Sequence, residues 1–126
     1  KPSRGLKQLQ TLLTNNSSWG QKRNIKDLKK MLAGSSVVVS FWSQEKLIGF
    51  GRATTDQIYR AVLWDIVVER NYQNLGLGKK IVTYMTNLAK ENNCYKTILN
   101  CKEENCGFYE KCGYIRKETE MVKYFE

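Results

Sequence analysis

Residues 70 to 80 run RNYQNLGLGKK: two glycines two apart, a glutamine ahead of them, two lysines behind, and then a helical pattern. Glycine permits positive φ and close approach of a ligand to the backbone, and it weakens a helix interior. The pair therefore serves either as a flexible turn or as a loop whose N–H groups wrap an anion at a helix start. A P-loop is excluded, because its upstream glycine and the Ser/Thr after its lysine are missing, and the spacing is not G-x-G-x-x-G. The chain has no histidine, which removes the usual general base and every Ser-His or Cys-His mechanism. Its four cysteines, Cys94, Cys101, Cys106 and Cys112, include no C-x-x-C pair. No metal site is expected from them; they read as reduced, buried small hydrophobes of an intracellular protein.

The elements that must carry this loop follow from periodicity. LKQLQTLL places Leu6, Leu9, Leu12 and Leu13 at helical spacing, and a second helix runs from Asn24, an N-cap, to Gly34. SSVVVSFW, LIGFGRAT and YRAVLWDIVV read as strands, the last central and buried between Leu63 and Val68. After the glycine loop, Ile81, Val82, Met85, Leu88 and Ala89 mark one helix face; YKTILNC reads as a strand, ENCGFYEKCG as a short helix and TEMVKYF as a last strand. The predicted order, α-α-β-β-β-α-β-α-β, is a mixed α/β layer architecture in one domain spanning residues 1 to 126, without repeats or linker.

Composition narrows the partners. Lys+Arg of 21 against Asp+Glu of 12 gives a net charge of +9, which suits an acidic partner: nucleic acid, an anionic membrane or a phosphorylated small molecule. The basic residues are dispersed, as at Lys22, Arg23, Lys29, Lys30, Lys79 and Lys80, and no nucleic-acid recognition motif accompanies them. No apolar run is long enough for a transmembrane helix. Neither nucleic acid nor membrane is expected as a partner. No signal peptide is visible, yet the chain starts at Lys1 and not at a methionine, so a removed upstream segment is expected.

The stretch DIVVERNYQNLGLGKKIV resembles the acetyl-CoA-binding motif of the GNAT superfamily of N-acetyltransferases, Q/R-x-x-G-x-G/A, here Gln73, Asn74, Leu75, Gly76, Leu77 and Gly78. ENCGFYEKCGY resembles the family's later motif, with Asn105, Tyr109, Gly113 and Tyr114 in its places, and the likeness covers roughly residues 36 to 126. It implies the GNAT fold: a mixed central sheet flanked by helices, with the parallel strands LWDIVV and KTILNC splaying apart after Ile66. It further implies acetyl-CoA as cosubstrate, with its pyrophosphate on the N–H groups between Gln73 and Lys79 and its pantetheine arm paired to Ile66, Val67 and Val68. The Val67 N–H would face the thioester oxygen. Asn105 belongs to the cofactor site, and Tyr109, otherwise a core tyrosine, would protonate the departing sulfur. The amine attacks directly, without an acyl-enzyme. Asp65, Glu69, Asp56 or water is the base; Trp64 and Ile66, the neighbours of Asp65, are expected to point away from it, which favours a structural Asp65. The family's first strand is not evident and is expected to precede Lys1.

Two subfamilies are echoed. The C-terminal NCYKTILNCKEENCGFYEKCGYIRKETEMVKYF is similar to eukaryotic glucosamine 6-phosphate N-acetyltransferases, whereas the central LIGFGRATTDQIYRAVLWDIVVERNYQNLGLGK resembles a plastid and cyanobacterial group related to serotonin (arylalkylamine) N-acetyltransferases. Trp64 and Asn100 stand where the amino-sugar enzymes carry acids. Trp64, Asp65, Asn100 and Lys123 are the substrate-side candidates, and Trp64 would either pack or stack on an aromatic amine. A phosphorylated substrate wants cations such as Arg52, Arg60, Arg116 and Lys123, and the leading expectation is glucosamine 6-phosphate. An arylalkylamine, or a silent acyl-CoA-binding sensor, is the alternative. The amino-sugar resemblance implies a homodimer through the last strand. The compartment expected is cytoplasmic, or plastid under the central resemblance.

Overall fold

The computed structural model describes residues 2–21 and 23–125; Lys1 and Lys22, named above, lie outside the described residues. Helix α1 (Pro2–Asn16) buries Leu9, Leu12 and Leu13, the stripe its leucine spacing demands. Helix α2 (Ile25–Ala33) begins at Asn24, whose side-chain oxygen accepts the Asp27 N–H at 2.7 Å, and ends at Gly34. Strands β1 (Val37–Ser43), β2 (Lys46–Thr55) and β3 (Arg60–Val68) follow, then α3 (Leu77–Glu91), β4 (Lys96–Ile98) and α4 (Cys106–Lys111). The sheet order is β1-β2-β3-β4, with β1, β2 and β3 antiparallel and β4 parallel to β3.

Each sheet face has its own core. On one face α1 and α2 bury Leu9, Leu12, Leu13 and Leu28 against Leu47, Phe50 and Val67. On the other α3 buries Ile81, Val82 and Met85 against Val39, Ala53 and Leu63. From Gly49 onward β2 alternates: Gly49 and Gly51 lie under α3, while Phe50 belongs to the α1 side; a register shift at Ile48 lets Leu47 share that side. The close approach of α3 requires Gly51, because a Cβ there would stand 2.6 Å from Ile81 Cγ2 and 3.0 Å from Met85 Cε.

Alternation breaks in β3. Arg52 pairs with Trp64 and Phe50 with Val67, so Gly51 alone faces two residues, Asp65 and Ile66, a bulge in which Asp65 takes φ 57. Leu63 and Ile66 therefore both turn to the α3 side, and Trp64 and Asp65 share the α1–α2 side. The expectation that Trp64 points away from Asp65 is corrected by this bulge.

Four further differences concern the C-terminal half. The strand expected at YKTILNC shrinks to Lys96–Ile98. The parallel pairing ends at Val62↔Ile98, so β3 and β4 part before Leu63 and not after Ile66. The last strand expected at TEMVKYF is irregular chain, with Met121 and Phe125 each 91% exposed. Its apolar residues suit a pleated surface, but a strand is held by a ladder, and no described strand pairs with this segment. Finally, all four cysteines are free thiols but none is fully buried: Cys101 and Cys106 lie around the turn before α4, outside both cores.

Candidate active site

The glycine loop spans the short distance from β3 to α3. Asn74 and Gly76 both have positive φ, 65 and 85, a conformation that asparagine tolerates and glycine adopts freely. The first intrahelical bond of α3 runs from the Lys80 N–H to the Gly76 carbonyl at 3.1 Å, and no side chain caps the helix. The N–H groups of Leu77, Gly78 and Lys79 thus point out of the helix start without an intrahelical partner, at the positive end of its dipole. Gln73 ties the loop back to β3, its side-chain Nε2 donating to the Val68 carbonyl at 2.9 Å. Leu75 and Lys79 are exposed.

Gly78 also meets α4. A Cβ at Gly78 would lie 3.2 Å from Phe108 Cζ, and Phe108 stands edge-on to Tyr109 with ring centroids 4.9 Å apart. Tyr109 is half-buried and packs on the α3-side core together with Ile66 and Val68. Burial, first of all, pushes its pKa up to about 12, and the nearby Cys101 and Cys112 thiols add to the shift. Tyr114 pins the turn after α4: its hydroxyl hydrogen-bonds Thr86 of α3 at 2.6 Å and Thr97 of β4 at 2.9 Å. The helix start, the phenol and the length of β3 that β4 leaves uncovered therefore converge. Val67 is buried, and Ile66 and Val68 are half-buried, along that length.

The substrate-side candidates scatter. Trp64, 38% exposed, donates from Nε1 to Thr54 Oγ1 at 2.9 Å. Asn100, Asn105 and Lys123 are exposed, Lys123 on the irregular C-terminal chain. The carboxylates are committed elsewhere. Asp65 accepts from Arg23 Nη1 at 3.0 Å and from Arg52 Nε at 2.7 Å. Asp56 accepts the Ile58 and Tyr59 N–H groups at 2.9 and 2.8 Å, which hold its pKa down. Glu69 accepts the Asn71 N–H and Lys46 Nζ, with the same consequence. Of the cations, Arg52 is taken by Asp65 and Arg116 by Glu103. Arg23 is the residue that sequence reasoning passed over, since an ion pair across 42 residues leaves no periodic mark.

A cleft of about 660 Å³ lies apart from this convergence, between α1 and the adjoining ends of β2 and β3, with Lys7, Gln8, Lys46, Glu69 and Arg70 in its walls. It includes neither the glycine loop nor Tyr109. No group of three His, Cys, Asp or Glu suited to a metal occurs among the described residues, and no described helix is long and apolar enough to cross a membrane.

A family model described as the Acetyltransferase (GNAT) family matches residues 6–114. The chain belongs to the GNAT acetyltransferase family. Its mixed α/β sheet is the GNAT fold: glucosamine-6-phosphate N-acetyltransferase from Arabidopsis thaliana superposes with a TM-score of 0.82 at 25% identity, over 100% of this chain and 95% of that one. An uncharacterized N-acetyltransferase, ycf52, of Pyropia yezoensis is 33% identical over 106 residues, 81% of this chain and 60% of its own length. Glucosamine 6-phosphate N-acetyltransferase of Candida albicans is 53% identical over 58 residues, 46% of this chain and 39% of its own. The GNAT chain thus spans 60% and 39% of the lengths of these two curated relatives.

Proposed function

We propose that the chain is an acetyl-CoA-dependent N-acetyltransferase domain acting by direct attack of a small primary amine, with glucosamine 6-phosphate as leading substrate. The observation that carries this reading is the convergence of an uncapped glycine-loop helix start and a protonated phenol on a stretch of β3 that β4 leaves uncovered. In this reading the N–H groups from Gln73 to Lys79 hold the pyrophosphate, and the exposed Lys79 adds a charge. Asn105 lies at the entrance of α4 on the cofactor side. The open edge of β3 at Ile66 and Val68 binds the amide-bearing arm as an added strand and supplies the N–H that stabilises the developing oxyanion; the expected Val67 N–H is turned instead toward Phe50 of β2. Tyr109 donates its proton to the leaving sulfur. Asp56, Asp65 and Glu69 are each engaged, so the amine gives its proton to water. Bound acetyl-CoA supplies the activated acyl group.

Trp64, Asp65, Asn100 and Lys123 line the acceptor side in this reading, with Arg60 and Lys123 as the cations outside the ion pairs described. The names of the Candida and Arabidopsis relatives support an amino-sugar phosphate. One observation favours an arylalkylamine instead: Trp19 and Trp64, 41% and 38% exposed, flank the Arg23–Asp65–Arg52 cluster and offer faces to an aromatic ring. We further propose a homodimer assembled through the exposed C-terminal segment.

Comparing kcat/KM for glucosamine 6-phosphate, glucosamine and an arylalkylamine tests the assignment. Two charge-assisted bonds to a phosphate, each worth about 1.5–3 kcal/mol, imply a loss of at least about a hundredfold for the unphosphorylated sugar. Preference for the arylalkylamine with no phosphate effect would overturn the sugar. Coenzyme A binding without turnover of any amine would leave an acyl-CoA sensor.

A further inference from the structure

We propose that Arg23, Asp65 and Arg52 form a positioning clamp that fixes the β3 bulge and thereby aims the open backbone edge of Ile66 and Val68 at the reacting carbonyl. The proposal rests on the acetyltransferase reading above. Asp65 stands two residues before Val67 at φ 57, a backbone state uncommon for a residue with a Cβ and needing outside support. Both of its oxygens are held: Arg23 Nη1 and Nη2 donate to Oδ2 and Oδ1 at 3.0 and 3.3 Å, and Arg52 Nε donates to Oδ2 at 2.7 Å. The carboxylate is only 9% exposed. It thus ties together three separate pieces of chain: the α1–α2 connection, β2 and the bulge.

Each arginine is itself braced. Arg23 lies over Trp19 at 5.1 Å and touches Met31 Sδ at 3.5 Å; Arg52 lies over Trp64 at 5.8 Å and reaches Ser35 Oγ at 3.4 Å. Across the ladder, Gly51 lets α3 press on the sheet opposite the bulge. The residues after Asp65 are therefore fixed from both faces. A poorly exposed ion cluster is a weak source of stability, because desolvation offsets the attraction, but it specifies one geometry over its neighbours. One position further, Ile66 begins the backbone that runs beside the reacting group. A carboxylate engaged in this way orients the strand and takes no proton from the amine.

The test is a steady-state comparison of Asp65→Ala, Asp65→Asn, Arg23→Ala and Arg23→Lys in the full chain, with melting temperatures to establish folding. Losing the clamp should lower kcat by about tenfold or more while KM for acetyl-CoA, set by the glycine loop, stays put. Asp65→Asn should recover part of the loss, since asparagine tolerates positive φ and still accepts a guanidinium N–H. Arg23→Lys should recover little, because an ammonium cannot engage both oxygens as a planar fork does. Should Asp65→Ala fail to fold, Arg23→Ala carries the same comparison. A kcat within about twofold of wild type in the folded variants, or a loss confined to KM, overturns the clamp. Absence of turnover in the wild type counts against the acetyltransferase reading only. In that case the backbone amide resonances of Ile66 to Val68 decide: they should move in Asp65→Ala and Arg23→Ala and largely return in Asp65→Asn, and unmoved resonances overturn the clamp.

Discussion

Under the proposed mechanism Tyr109 has to keep its proton at working pH. Burial raises its pKa from the ordinary 10.0 to about 12, so the folded protein favours the neutral form. The stability this gives is complete below the unfolded value, near pH 10, and is lost as pH rises through about 12. Tyr109→Phe should lower kcat by roughly a hundredfold with little change in acetyl-CoA KM, and tyrosinate absorbance should lose its highest-pH step. A variant that keeps full kcat would reduce Tyr109 to a packing residue. With Asp56, Asp65 and Glu69 engaged, the rise of kcat/KM with pH should follow the pKa of the amine, so exchanging the amine for a less basic one should move the limb downward.

Elements meet at glycines. Gly78 is needed twice, once for backbone approach at the α3 start and once because Phe108 lies against it, 3.2 Å from where a Cβ would stand. Gly78→Asp should weaken coenzyme A binding by about tenfold or more in calorimetry, since it adds a negative charge at an anion site and displaces α4. Unchanged affinity in a folded variant would take the loop out of the site. Gly51 performs a different task, holding α3 close to the bulge. Gly51→Ala forces Ile81 and Met85 aside and should cost about 1–3 kcal/mol, seen as a lower Tm. A Tm equal to wild type would mean that α3 yields freely.

At the scale of the whole molecule, the open questions are charge and assembly. The net charge of +9 is not gathered into one phosphate site: Arg23 and Arg52 share Asp65, and Arg116 is paired with Glu103. The exposed segment carrying Ile115, Met121, Val122, Tyr124 and Phe125 leaves apolar side chains in water, and the β4 edge of the sheet is short. Sedimentation should report a dimer at micromolar chain, and replacing Met121, Tyr124 and Phe125 by serine should yield a monomer. A monomeric wild type would remove the shared assembly.

The sequence by itself determined what depends on near neighbours. Leucine spacing set α1, Asn24 set the start of α2, and Gly76 and Gly78 marked an anion-ready helix start within a motif that identifies the family. Periodicity, caps and positive-φ glycines are local physics, so they survive without a partner. Gly51, one of two glycines inside a strand pattern, was the available hint of a bulge. Tertiary structure decided the rest. Only packed strands show that Asp65 turns to the side of Trp64, because a single extra residue in the ladder flips every side chain after it. The pairing of Asp65 with Arg23 and Arg52, the contact of Gly78 with Phe108 and the parting of β4 from β3 at Val62 all join segments distant in the chain. The C-terminal segment makes the same point from the other side: a strand-like pattern becomes a strand only where another backbone receives its hydrogen bonds.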